Sequence, residues 1–100
     1  MSIDSLKKTI ADQKETLQSL GVKRVGIFGS HARGEATVSS DLDLLIDFIP
    51  GKKTYKNFFR TTTLLEDALN QRVDALTPEA LSPYIKPHIQ NDLTYVQIAD

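Results

Sequence analysis

Cysteine is absent from the 100 residues, which excludes disulfide frameworks, thiolate catalysis and Cys-ligated zinc, and permits a reducing compartment. A basic surplus is also lacking, because 12 Lys and Arg stand against 13 Asp and Glu for a net charge of -1. Proteins that bind nucleic acid non-specifically rely on clustered cations to release counterions, so long duplex DNA or RNA is not the expected partner. No apolar run approaches the roughly 18 to 20 residues of a membrane span, and Asp4, Lys7, Lys8 and Asp12 interrupt the N-terminal segment. The expectation is a soluble, cytoplasmic protein with no membrane partner. Repeats, low-complexity stretches and internal linkers are missing too. With 40% hydrophobic residues, one modest core is within reach, so residues 1–100 read as one domain. Two familiar phosphate motifs are incomplete. Gly26-x-x-Gly29 lacks the spacing of a dinucleotide fingerprint, and Gly51-Lys52-Lys53 lacks the Ser/Thr and upstream Gly of a P-loop.

What is present alternates between helical and extended patterns. Ile3, Leu6, Ile10, Leu17 and Leu20 fall at helical spacing, Ser2 or Asp4 can cap the start and Gly21 suits the position after the end, predicting a helix over 3–20. Lys23 to Gly29 is short, β-branched and aromatic, which predicts a buried strand feeding a tight turn. Residues 30–40 read as loop. Asp41 to Ile49 predicts a second strand, with Leu42, Leu44, Ile46 and Phe48 on one face and Asp41, Asp43, Leu45 and Asp47 on the other. Pro50-Gly51 ends it. A second helix over 55–70 is predicted from Phe58, Thr62, Leu65 and Leu69, and its aromatic cluster Tyr55, Phe58 and Phe59 is expected to pack onto the sheet. The alternative leaves Tyr55 or Phe59 facing a partner. A third strand follows over 72–76, then a helix capped by Thr77 with Pro78 at its first position, short turns forced by Pro83 and Pro87, and a fourth strand over 94–98. The class is α/β (α+β), with a single small mixed β-sheet flanked by helices.

One constellation carries chemistry: Gly29-Ser30, then ten residues, then Asp41-Leu42-Asp43, with a further strand carboxylate at Asp74. Carboxylates at i and i+2 of a strand share a face with Cα atoms about 6.6 Å apart, near enough for their oxygens to converge on paired metal ions. Asp74 on a neighbouring strand completes the set. Hard oxygen donors and three mutually repelling charges select Mg²⁺ or Mn²⁺ over zinc. Two such ions leave a pocket suited to a triphosphate, where they polarise the α-phosphate and stabilise leaving pyrophosphate. Gly29 lets the backbone approach phosphate oxygens, the Ser30 hydroxyl can donate to them, and Arg33 is placed to reach the same group. Gly34 suits a turn with positive φ, and Glu35 reads as a surface or capping residue. His31 reads as an exposed loop residue and His88 as a surface or core histidine; neither is assigned a role.

The run Gly29-Ser30-His31-Ala32-Arg33-Gly34-Glu35 through Ser40-Asp41-Leu42-Asp43-Leu44 resembles the signature of the DNA polymerase β-like nucleotidyltransferase superfamily. Within it, the short chain, the Val73-Asp74 strand and the ending resemble the minimal nucleotidyltransferase (MNT) proteins of prokaryotes, which include antitoxins paired with HEPN-domain RNase toxins. The resemblance spans residues 20–98. It implies the polymerase β-like fold, Asp41, Asp43 and Asp74 as catalytic residues and ligands of two Mg²⁺ ions, Asp74 also as base, and Gly29, Ser30 and Arg33 as triphosphate contacts. ATP is the implied substrate and a HEPN toxin the implied partner, adenylylated on a hydroxyl such as tyrosine. Larger relatives carry a second domain for the acceptor, and its expected absence here turns attention to a partner protein. Two alternatives stand beside this expectation: an antitoxin that neutralises only by binding, and a transferase for a small molecule such as an aminoglycoside. A homo-oligomer is left open.

Overall fold

The computed structural model describes residues 2–100, and its core is set by the strand alternation. Leu42, Leu44, Ile46 and Phe48 all point into the main apolar cluster, where Leu6, Ile10, Leu17, Val22, Val25, Ile27, Leu65, Leu69, Val96 and Ile98 meet them. Burying a Leu or Ile side chain contributes about 1.5–3 kcal/mol, so this one face fixes the register of strand β2 (Leu42–Phe48).

The sheet has four strands in the order β3-β2-β1-β4, with β1 at Val22–Phe28, β3 at Val73–Leu76 and β4 at Thr94–Gln97. Strand β1 is antiparallel to both β2 and β4, whereas β2 and β3 run parallel. A parallel pair needs a crossover, and helix α4 (Tyr55–Leu69) supplies it. Thr54 caps α4 by accepting the Asn57 N–H at 3.1 Å, and Asn70 ends it in the left-handed conformation, φ 50°. These bounds match the sequence expectation to within a residue.

The first helix departs from expectation. Instead of one helix over 3–20 there are two, α1 (Ile3–Asp12) and α2 (Lys14–Ser19), divided at Gln13. There the Gln13 N–H bonds back to Ile10 O at 3.0 Å, a tightened turn. Leu17 joins Leu6 and Ile10 in the core, seven residues on from Ile10, a spacing that keeps to one helical face. Ser2 does cap the start, its Oγ accepting from Ser5 N at 3.2 Å. Gly21 follows the second helix with φ 81°, as its position suggested.

The segment read as loop over 30–40 begins with a one-turn helix, α3 (Gly29–Ala32). Later, Thr77 does not cap through its side chain; its carbonyl accepts Ala80 N at 3.0 Å, closing a 3₁₀ turn over Pro78–Ala80. Pro87 sits in the first turn of a short helix, α5 (Lys86–Gln90), where a missing N–H costs little. Among the described residues no helix is long and apolar enough to cross a membrane.

Candidate active site

Three residues form one row across the sheet: Phe28 of β1 pairs with Asp43 of β2, which pairs with Asp74 of β3. Neighbouring strands lie about 4.8 Å apart, so the Asp43 and Asp74 side chains rise side by side from the face opposite the main core. The next row on that face, Gly26, Leu45 and Leu76, carries no charge. There Phe28, Leu45 and Ile89 of α5 form a second apolar cluster with Leu76, Leu81 and Leu93 packed against it. The acids therefore stand at the end of an apolar floor, where β1 finishes and β2 and β3 begin.

The turn after β1 is built around Asp43. Gly29 has φ 75°, a conformation that L side chains rarely adopt, and a Cβ placed on it would overlap Asp43 Oδ2 and lie 3.0 Å from Asp43 Cγ. Glycine is required twice over, by conformation and by contact. Ser30 follows in α3, partly buried, with its carbonyl accepting the Glu35 N–H at 2.9 Å. Gly34 also has positive φ, 73°, yet nothing lies within 4 Å of where its Cβ would be.

Electrostatics mark Asp43 as the strained member. Burial pushes its carboxyl up from the ordinary value of 3.8, and the Asp74 charge pushes the same way, as does Asp41 more weakly. His31 and Arg33 oppose the rise. A bound cation would relieve this repulsion, and the all-oxygen donor set suits a hard divalent ion such as Mg²⁺. Asp43 and Asp74 fit that task by their shared row. Asp41 is exposed and faces Arg72, with Arg72 Nε 3.6 Å from Asp41 Oδ1. Among the described residues no three acidic or histidine side chains are drawn round a common point, so Asp41 would join the pair only by turning from Arg72.

Arg33 does not stand free. Its Nε donates to Glu35 Oε1 at 2.6 Å and its Nη1 to Asp92 Oδ2 at 2.8 Å, and these two carboxylates hold the guanidinium charged more firmly than usual. Glu35, read as a surface or capping residue, is that surface partner. Asp92 belongs to the turn before β4, 59 residues from Arg33, and no local pattern announces it.

His31, expected on an exposed loop, is buried instead, 8% exposed. Because residues 29–32 wind into a helical turn, its ring lies under the site, and Gln71 Nε2 sits 3.0 Å from His31 Nε2. His31 Nδ1 has no hydrogen-bond partner. Gln71 precedes β3, so this contact links the Gly29-Ser30 turn to the segment that carries Asp74. Neither residue had a sequence signal beyond position. His88 is exposed, near the end of α5.

Comparison with known proteins agrees with the fold. The family model for the nucleotidyltransferase domain matches residues 8–96. Protein adenylyltransferase MntA of Thermococcus cleftensis is 36% identical over 86 residues, which is 86% of each chain. A solved structure provisionally described as a minimal nucleotidyltransferase is 34% identical, with a TM-score of 0.71 over 94% of this chain and 95% of the other. The fold also overlays a chain from the complex of tri-AMPylated Shewanella oneidensis HEPN toxin with MNT antitoxin. There the TM-score is 0.60 and the identity 13%, covering 90% of this chain and 71% of that one.

Proposed function

The chain belongs to the nucleotidyltransferase domain family, and on that premise we propose that it transfers AMP from ATP to a hydroxyl of a partner protein, a tyrosine of a HEPN-type RNase toxin, and thereby acts as its antitoxin. The observation that carries this reading is the Asp43–Asp74 row beside a glycine turn that admits no Cβ. The similarity to a named protein adenylyltransferase supports a protein acceptor, and the shared fold with an MNT antitoxin supports the class of partner.

In this reading Asp41, Asp43 and Asp74 hold Mg²⁺, which when bound supplies charge neutralisation at the α-phosphate and at the departing pyrophosphate. The chain's own residues do the rest. Gly29 and Ser30 bring backbone N–H groups and a hydroxyl against the triphosphate, and Arg33 adds a cation once it exchanges Glu35 and Asp92 for phosphate oxygens. Asp74 takes the proton from the acceptor hydroxyl. That oxygen forms a bond to the α-phosphorus, the bond from α-phosphorus to the bridging oxygen breaks, and pyrophosphate leaves with the electron pair. Asp74 suits the role by exposure, since it stands at the outer strand where an acceptor can approach, while Asp43 lies deeper against Gly29.

Two observations favour a second reading, an antitoxin that acts by binding alone: Arg33 is engaged by two acids and Asp41 is turned towards Arg72. The two readings separate in one experiment. The toxin is co-expressed with the wild-type chain or with the Asp41→Ala, Asp43→Ala double variant, and its intact mass and RNase activity are measured. Transfer requires one or more AMP increments and loss of RNase activity with the wild type only. Neutralisation without a mass change selects binding.

A further inference from the structure

Helix α4 presents a face that the fold does not use. Of the aromatic cluster expected to pack on the sheet, only Phe58 packs against the core. Tyr55 is 85% exposed and Phe59 59% exposed, and their rings stack with centroids 6.4 Å apart. Burying two aromatic rings is worth several kcal/mol, so leaving a stacked pair in water calls for an explanation outside the fold. The pair sits in a run of one sign. Residues 48–65 hold Lys52, Lys53, Lys56 and Arg60, four of the 12 cations, and none of the 13 acids. Lys53 pairs with Glu79 at 3.3 Å; among the described residues no ion pair engages Lys52, Lys56 or Arg60. Lys56 and Arg60 lie one helical turn apart, adjacent to the Tyr55 and Phe59 stripe.

This surface continues to the strand that carries Asp74. Lys53, Tyr55 and Phe58 share a cavity of about 380 Å³ with Ala75 and Leu76, the two residues that follow Asp74 along β3. Strand β3 is the outer strand of the sheet. A chain seated on the aromatic pair lies along the outer edge of β3 on the helix-covered side of the sheet, and it reaches Asp74 by crossing that edge.

We propose that Tyr55, Phe59, Lys56 and Arg60 form the docking surface for the acceptor protein, and that the segment it receives is acidic and carries the hydroxyl to be modified. The assignment rests on the transferase reading above and adds where the acceptor binds and what charge it bears. A cationic rim around exposed aromatics recognises an acidic chain through the rim and anchors it through the rings. An acceptor held there meets the α-phosphate from the Asp74 side with its position already set, the advantage that oriented reactants enjoy.

The probes are random poly(Glu,Tyr), poly(Lys,Tyr) and a single-stranded oligouridine. Binding is followed by fluorescence anisotropy and AMP incorporation by labelled ATP with Mg²⁺, for wild type, Lys56→Glu/Arg60→Glu and Tyr55→Ala/Phe59→Ala. The proposal expects wild type to bind and modify poly(Glu,Tyr) but not poly(Lys,Tyr). It expects each double variant to raise KM for the acidic polymer by about tenfold or more, ~1.4 kcal/mol, while kcat and the thermal shift given by Mg²⁺ and ATP stay unchanged. Variants that bind the acidic polymer as wild type does overturn the surface, whatever the transfer activity. If the acidic polymer binds through these residues yet takes up no AMP, the surface stands and the transferase reading fails. Tighter binding of oligouridine than of poly(Glu,Tyr) overturns the proposal in favour of RNA.

Discussion

Two glycines with nearly the same backbone offer a matched perturbation of the site. Gly29 has φ 75° and Gly34 φ 73°, so alanine at either position incurs the left-handed penalty of about 1–2 kcal/mol. For a domain of this size each kcal/mol lowers the melting temperature by about 4–8 °C, and Gly29→Ala and Gly34→Ala are expected to melt within a few degrees of each other. Their surroundings differ completely. At Gly34 a Cβ meets open space, whereas at Gly29 it overlaps Asp43 Oδ2, so the Asp43 carboxylate must move. A displacement of about 1 Å at a reacting centre costs on the order of 100-fold in rate. Gly29→Ala should therefore lose about 100-fold or more in kcat for AMP transfer, and Gly34→Ala no more than a few-fold, at matched stability. The assay is initial-rate transfer from labelled ATP alongside thermal melting of the same samples. Equal activity in the two variants would show that the contact with Asp43 does not position the chemistry.

Asp43→Asn should raise the melting temperature of the metal-free protein and abolish the further rise given by Mg²⁺ with ATP, because it removes repulsion worth about 1 kcal/mol for charges ~5 Å apart in near-aqueous surroundings. The pH dependence has a fixed sign: the folded-state carboxyl of Asp43 titrates above its ordinary 3.8, so the folded form holds the proton more tightly. Its effect is most favourable below 3.8 and is lost as pH rises through the folded value. Differential melts of wild type against Asp43→Asn without metal should diverge upward from pH 4; parallel curves would contradict it. Asp92→Asn should release Arg33 from one of its two acids and lower KM for ATP a few-fold, measured by initial rates; an unchanged KM would remove Arg33 from the phosphate site. His31→Ala should cost about 1–3 kcal/mol in chemical denaturation by opening the buried contact with Gln71.

The strands were legible because each has one buried face: Leu42, Leu44, Ile46 and Phe48 alternate, and a slip of one residue would turn the whole row to water. Helix α4 was legible from the spacing of Phe58, Thr62, Leu65 and Leu69, while its cap at Thr54 emerged only in the structure. The site was legible in composition but not in arrangement. That Asp43 lies opposite Asp74 depends on a parallel pairing across the whole of α4, which no local pattern encodes. The partners of Arg33 and His31 are equally remote, Asp92 at 59 and Gln71 at 40 residues' distance. His31 was misplaced because Gly29 and Ser30 are weak helix formers, so the turn of α3 could not be seen in advance. Tyr55 and Phe59 were expected inside because aromatic residues usually are, and the helix has room for only part of its aromatic stripe against the core.

The central claim is that the Asp43–Asp74 row performs nucleotidyl transfer, and the most direct measurement is the single-turnover rate of AMP transfer from ATP and Mg²⁺ to purified HEPN toxin by wild type, Asp43→Asn and Asp74→Asn. Each substitution keeps the side chain's shape and removes its charge. The account requires a toxin mass increased by AMP with the wild type and a rate at least about 100-fold lower in each variant, the scale of a lost general base. Transfer by either variant within threefold of wild type, or no AMP on the toxin under any condition, would contradict it.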